Sequence, residues 1–545
     1  MSERAALLQA VISDPEDDAS RLVYADWLSE HGDDDRAEFI RSQVELARLD
    51  EDDPARPDLV RREQALLARN PTWREEVAKS LRPRAVFRRG FISEVEWTAA
   101  SFIKGGGGLW KRSPVEVVRL SAVRPHWQAL LASPHLARLR GLKLQSEKIG
   151  DAGARDLARL PALAKLRSLA LNYCDIGPAG FAALAASPHL AGVRHLEVEG
   201  NRPGVEGLRS LANSPRLTDL RSLHLGSYHD SFGPEAAAAI AEGAAFGRLE
   251  SLDLDGHDIG VDGTIALVES PRLPRLRHLR LSGNHLGSES GAALARCGGL
   301  ARLRALDLGT AGLGDAGAAA LARSPHVTGL RRLDLWSNAI GPKGAAALAR
   351  SRRLGGLRDV DVGGNDIDPE SAAALVASQR RRFLARLGFS RCHFGDAGVR
   401  ALTTALRAPS LVGLNLAFCG IGPDGAQNLA ACAQLSNLLR LDLSGNPIKD
   451  DGVEVLSNSP QLGRLGELRL FETSAGVRGM SALARSQRLK GLYALYLGAN
   501  PEADTAFREF LTPACTLTLN CLTGASYLSN RTKDALAQRF PYALR

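Results

Sequence analysis

Residues Leu330–Gly356 read LRRLDLWSNAIGPKGAAALARSRRLGG. Leu333 and Leu335 alternate with Arg332 and Asp334, the period of two that marks a strand with one buried face. Asn338-Ala-Ile-Gly341 then reads as a tight turn, and GAAALAR, ending at Arg350, as a short helix. Strand, turn and helix are complete within 27 residues.

The same wording recurs along the chain. Its opening position falls at Leu139, Leu166, Val193, Leu220, Leu249, Leu276, Leu303, Leu330, Leu357, Leu384, Leu411, Leu438, Leu465 and Leu492. Twelve of the thirteen spacings are 27 and one is 29. Positions 1, 4 and 6 are apolar in all fourteen copies, and position 19 is Leu in twelve, with Ile240 and Phe510 in the others. One such unit cannot bury its own apolar face, so neighbours must stack into a continuous core. The fold class expected is α/β, a solenoid with parallel strands about 4.8 Å apart. Helices need about 10 Å each, so the stack should bend into a horseshoe with strands inside and helices outside.

The pattern resembles the leucine-rich repeats of the ribonuclease-inhibitor type, LxxLxLxxN/CxL followed by a helix, over about 139–518. That class usually runs at 28 or 29 residues per unit; this chain settles at 27. The resemblance implies that the N/C position caps buried backbone groups at the turn. Position 9 is Asn201, Asn284, Asn338, Asn365, Asn446 and Asn500 in six units, and Cys174, Cys392 and Cys419 in three. Cys297 and Cys432 both fall at position 22, elsewhere usually a Ser before Pro. Five of the seven cysteines therefore read as structural. Cys515 and Cys521 lie in the end segment, where a disulfide or a metal pair stays an open reading.

Four segments follow: 1–83 helical, 84–138 an opening cap with degenerate repeats, 139–518 the fourteen units, and 519–545 a closing cap. Phe91–Trp97 (FISEVEW) and Val115–Ser121 (VEVVRLS) read as opening strands. The four glycines between them do not match GxxxxGK[ST], so no phosphate loop is read there. Thr516–Leu519 (TLTL) reads as the closing strand, with a helix near Asn530–Phe540.

The front segment has no 27-residue period. ERAALLQAVISD, DDASRLVYADWLSEHGDDD, RAEFIRSQVELARL and RPDLVRREQALLARN read as four helices, with Leu22, Tyr24, Trp27, Leu28, Phe39, Ile40 and Val44 as a small core. The text from Asp14 to Leu49 resembles the repeat-companion domain, a bacterial helical domain that precedes repeat arrays; the resemblance covers about 4–50 and implies no activity. The acids at Asp14, Glu16, Asp17 and Asp18 and at Asp33, Asp34 and Asp35 do not match a calcium loop and read as caps and turns.

The charge is +8 overall, but residues 1–82 hold 20 acids against 12 bases. The two parts either recognise different partners, touch each other, or simply differ in surface. No run of 18 apolar residues suggests a membrane span. MSERAALLQAVISDPEDD does not read as a secretory signal, so cytoplasmic placement is expected, with reduced thiols.

Partners of solenoids sit along the concave strand face, at outward positions 3, 5, 7 and 8. Position 5 carries Asp253, Asp307, Asp334 and Asp361, and Asp255 and Asp359 add to the same face. Asp307, Asp334 and Asp361 are expected in one column about 5 Å apart, each neighbouring pair repelling by roughly 0.8 kcal/mol in water. Such a strip either attracts a basic protein or is repeat wording, with arginines on helices and rims outside it. Trp336 lies at position 7 between Gly309 and Gly363, and Tyr173, Phe418, Phe471 and Tyr496 are also outward. Exposed rings are interface anchors, or they pack on one another or on the front segment. The 29-residue unit places Tyr228, His229 and Phe232 in an expected protruding loop, either a binding loop or length drift.

Catalysis finds little footing: HExxH, GxSxG, Walker A and CxxC are all missing from the sequence. His195, Glu197, Glu199 and His224, and Asp253–Asp258 (DLDGHD), bring acids and histidines together only as strand-exposed polar residues do. The arginines recur beside apolar positions rather than as one patch with aromatics, so nucleic acid is an unfavoured partner. The reading is a non-enzymatic scaffold or inhibitor binding a protein, a basic one where the acidic strip serves recognition, without a cofactor and favouring a monomer. Alternatives are a regulator of an enzyme such as a GTPase, acting through repeat-rim loops, and nucleic-acid binding on the convex side.

Overall fold

Leu330, Leu333 and Leu335 are buried, and Arg332–Asp334 forms a short strand among them. The helix Pro342–Arg350 follows, burying Ala345 and Leu348 on its inner side. The computed structural model describes residues 2–49, 53, 55–77, 85–227, 231–377, 383–524 and 528–540. Contacts divide the chain into two units, one of Met1–Leu49, Thr72–Leu286 and Cys297–Asp307, the other of Asp50–Pro71, Gly287–Arg296 and Leu308–Arg545. Each is an α/β solenoid built of strand–turn–helix repeats.

Among the described residues the first unit carries ten strands and the second eight. Pairing between successive repeats is parallel with like positions in register, so Leu333 faces Val360 and Leu414 faces Leu441. The exception opens the array. Strand β1 (Val86–Arg88) pairs antiparallel with β2 (Phe91–Thr98), and β3 (Val117–Ser121) then begins the parallel series.

Three ladders of side chains join one repeat to the next. The first is the position-9 cap. Asn446 is fully buried; its Oδ1 accepts from the Cys419 and Ile421 amides at 2.9 and 3.0 Å, and its Nδ2 donates to the Leu416 and Leu443 carbonyls at 2.7 and 2.9 Å. Cysteine does half of this, the Cys419 thiol donating to the Phe389 carbonyl. His257 takes the same position in its repeat, its Nε2 2.9 Å from the Leu225 carbonyl oxygen. The histidine of DLDGHD is thus a structural cap.

The second ladder uses the serine at position 22. Ser459 donates to the Ala430 carbonyl at 2.6 Å, at the end of the preceding repeat's helix, and accepts from the Gln461 amide. Cys432 makes a longer contact with the Thr403 carbonyl. The third ladder uses an aspartate at position 13. Asp396 Oδ1 accepts from the Gly422 and Gly425 amides, capping the next repeat's helix, Pro423–Ala431. A Cβ on Gly425 would stand 2.4 Å from that carboxylate oxygen, which is why the position is glycine.

One expectation needs correction. Thr516–Leu519 is not a strand; the closing strand is Cys521–Thr523, with Leu522 opposite Leu495. Leu519 falls 27 residues after Leu492, so the repeat register carries on one copy further and puts the strand at its positions 3 to 5. Cys515 and Cys521 are buried free thiols, like the other five. The closing helix is Asn530–Arg539.

The front segment forms helices α1 (Glu3–Ser13), α2 (Asp18–Glu30), α3 (Asp34–Arg48) and α4 (Arg56–Arg69). Asp17 caps α2 through the Ala19 and Ser20 amides. Tyr24, Leu28, Ile40 and Val44 share a core with Phe91 of β2, so α1–α3 are seated on the opening hairpin within the first unit. Leu22 and Trp27 lie at its edge. Helix α4 belongs to the second unit.

Candidate protein-binding face

In the second unit the residues at positions 3, 5 and 7 leave one side of the strand layer. Asp334 and Asp361 are partners across adjacent strands. Each carboxylate folds back to accept the amide two residues on, from Trp336 at 2.9 Å and Gly363 at 2.8 Å. Trp336 is 36 % exposed, a large value for a tryptophan. Beyond Asp361 the face sinks into a depression of about 300 Å³ where Gly388 and Gly413 present no side chain, rimmed by Asp361, Arg386, Arg440 and Asp442.

The other rings are held more closely. Phe418 sits at position 8 with φ +56°, its ring over the next repeat's Gly445 and Arg391 stacked 4.6 Å from its centroid. Phe471 is exposed but leans over Gly498. Tyr496 is half-buried beneath Arg469, 4.5 Å from its centroid. In the first unit Tyr173 is exposed and lies over Gly200 in the manner of Phe418. These rings pack partly on neighbouring repeats.

The expected acidic strip is corrected by arginines that stand inside it. In the first unit Arg280 reaches Asp255 at 2.6 Å, Asp253 at 3.4 Å and Asp307 at 3.6 Å. Asp253 and Asp255 are buried, so an unpaired column there would have combined repulsion with desolvation. In the second unit Asp359 is shared by Arg332 and Arg386, and Glu467 by Arg440 and Arg469. The charges alternate along the face instead of adding up.

Asp255, 4 % exposed, has its carboxyl pushed up to about 6, first by burial and then by Asp253. Its folded pKa lies above the unfolded value, so the penalty on its ionised form is absent below about 4 and grows as pH rises through about 6. Lowering the pH from 7 to 5 should therefore stabilise this part of the first unit by about 1 kcal/mol through Asp255 alone. Hydrogen exchange at the Asp253–Ser282 amides should slow accordingly, and Asp255→Asn should remove that pH response. An unchanged response in the variant would place the titration elsewhere.

The inserted loop is also corrected. Phe232 does not protrude: it is 8 % exposed and stacks on His257 with ring centroids 3.7 Å apart. The buried ring of this cap gives it an apolar partner. Tyr228 and His229 lie outside the described residues. Glu197 and His224 are partners on adjacent strands, and His224 Nε2 lies 2.9 Å from Ser222 Oγ.

A family model described as Leucine Rich repeat matches residues 162–185, 273–295, 302–322, 328–349, 357–376, 408–430 and 434–457. This is a leucine-rich repeat protein. Among solved structures, the leucine-rich repeat chain is similar to an internalin (inlF) from Listeria monocytogenes, at 17 % identity and TM-score 0.33, over 71 % of this chain and 87 % of that one. It is similar to the Rad7 and Elc1 complex in yeast at 14 % identity and TM-score 0.43, over 91 % and 98 %. It is also similar to a TLR13–ssRNA13 complex at 15 % identity and TM-score 0.41, over 75 % and 60 %. No curated protein matches the sequence. No helix among the described residues is long and apolar enough to cross a membrane.

Sequence reasoning missed the arginines of this leucine-rich repeat face. Arg332, Arg386 and Arg440 occupy position 3 in alternate repeats, with Asp359 between the first two, and that alternation was the available signal.

Proposed function

We propose that the strand face of the second unit binds a protein partner, and that the chain works as a non-enzymatic scaffold or inhibitor. Leucine-rich repeat proteins generally mediate protein interactions. The observation that carries the reading is Trp336, an exposed ring two residues beyond Asp334, whose carboxylate lies opposite Asp361 on the adjacent strand. A tryptophan that loses its remaining exposure on docking is the usual energetic anchor of an interface, and a flanking carboxylate pair favours a basic contact.

The test uses the full chain as bait in three forms: unaltered, Trp336→Ala/Asp334→Ala/Asp361→Ala, and Lys343→Ala/Arg350→Ala on the opposite, helical side of the same repeat. A protein held by the first and third forms and bound at least tenfold more weakly by the second is the expected result. Retention by the triple variant, or equal loss from the helical variant, overturns the assignment.

A further inference from the structure

Helix α4 lies against the repeats of its own unit. Asp58 pairs with Arg464, and the Asn520 side chain donates to the Gln64 carbonyl at 2.5 Å. The first turns of α4 close a recess of about 90 Å³ over the strand layer. Four arginines line it: Arg56 and Arg61 from α4, Arg386 and Arg440 from alternate repeats. Gly413 and Gly466 leave its floor without side chains, and the Tyr493 ring covers Gly466. No carboxylate is among the described residues that line it.

Three of these arginines, Arg61, Arg386 and Arg440, are held by carboxylates that lie outside the recess, and each of those carboxylates is shared with a further arginine. Asp359 takes Arg332 and Arg386 at 3.2 and 3.1 Å. Glu467 takes Arg440 and Arg469 at 3.4 and 2.7 Å. Asp58 takes Arg61 and Arg464. One carboxylate cannot neutralise two guanidiniums, so positive charge is left facing a space a few water molecules across. A small anion with several acceptor oxygens matches guanidinium forks in both charge and hydrogen-bond geometry.

We propose that this recess binds a phosphoryl-type dianion, with Arg56, Arg61, Arg386 and Arg440 as its donors. The recess shares Arg386, Val412 and Leu439 with a cleft of about 380 Å³ that also carries Phe383 and Pro409. An apolar or aromatic body attached to the phosphoryl group has room there. Two donors come from α4 and two from the repeats, so the bound anion also ties α4 to the repeats. The recess shares Arg386, Gly413 and Arg440 with the depression on the proposed protein-binding face; Trp336→Ala, which removes no residue of the recess, should leave anion binding unchanged and so separates the two readings.

Calorimetric titration of the full chain with inorganic phosphate and with O-phospho-L-tyrosine, in chloride buffer of matched ionic strength, tests the site. Saturable binding of both assigns it to the phosphoryl group alone, and binding of the ester only adds the neighbouring cleft; either supports the site. Arg61→Gln and Arg386→Gln should each weaken binding at least tenfold, and Arg272→Gln, remote in sequence and exposed in the first unit, should not. Arg61 lies on the surface of α4, so its replacement leaves the strand layer intact. Amides of residues 56–69 should exchange more slowly with anion bound. Absence of saturable binding by either probe, or equal binding by all three variants, overturns the proposal.

Discussion

Asn446→Leu should destabilise the second unit by at least about 4 kcal/mol, measured by urea unfolding and by hydrogen exchange at the Cys419 and Ile421 amides. The side chain is completely buried and satisfies four backbone groups: two amides of the preceding repeat, one carbonyl of that repeat and one of its own. Leucine keeps the branched four-atom skeleton, is somewhat larger, and makes none of its hydrogen bonds. Each buried group left without a partner costs about 1–3 kcal/mol, and water has no route to replace the amide. Because a repeat contacts only its neighbours, the loss should appear first as local opening around this turn. Asn446→Cys should be milder, since cysteine at this position still donates to the preceding carbonyl, as Cys419 does to Phe389. A loss below about 1.5 kcal/mol for the leucine variant, or equal losses for both, would refute the ladder as the main tie between repeats.

The buried ladder at position 9 was legible because its residue type repeats in register, Asn or Cys every 27 residues. The other two ladders were not. Ser459 and its acceptor on Ala430 are 29 residues apart, and Asp396 and the Gly422 amide 26 apart. Within a single repeat these residues read only as a turn serine and a solvated acid. Their partners become visible once stacking sets position 13 of one copy against position 12 of the next. Position 9 also hid two substitutes, His257 and Thr473, whose ring and hydroxyl reach carbonyls in place of the amide.

The strand face was half legible for a related reason. Periodicity says which residues leave the sheet, and it placed Trp336, Asp334 and Asp361 there. It does not say which charges meet across strands. Arg280 falls at position 5 like the acids beside it, and only the register with Asp253 and Asp307 shows that it divides them. Phe232 could not be placed at all by period, since a two-residue insertion removes the register and leaves burial against His257 to decide.

The front helices carry the second large effect. Arg36→Met should destabilise the packing of α2 and α3 on the opening hairpin by about 2–3 kcal/mol, less than for a fully buried pair because the Glu76 side chain is about a third exposed. By type and position Arg36 reads as a surface residue of the first turn of α3, yet it is 5 % exposed. Its guanidinium lies 4.8 Å from the Trp73 ring, 5.5 Å from Phe39 and 5.7 Å from both Phe87 and Phe91. Its Nη2 donates to Glu76 at 2.9 Å, while Nη1 finds no acceptor among the described residues, which leaves the aromatic faces as its compensation. Burial alone already raises the Glu76 carboxyl, and Arg36 is the largest influence opposing that rise. Methionine fills much of the same volume but strands Glu76 without its cation. The damage should therefore come from the orphaned acid more than from lost packing. Arg36→Met/Glu76→Gln removes that acid and should recover most of the loss, as buried ion pairs replaced on both sides often do. Thermal unfolding followed by tryptophan fluorescence, with Trp27 and Trp73 as reporters, separates the cases. If the single variant matches the parent, or the double variant is as unstable as the single, Arg36 is not the cation that makes this aromatic core tenable.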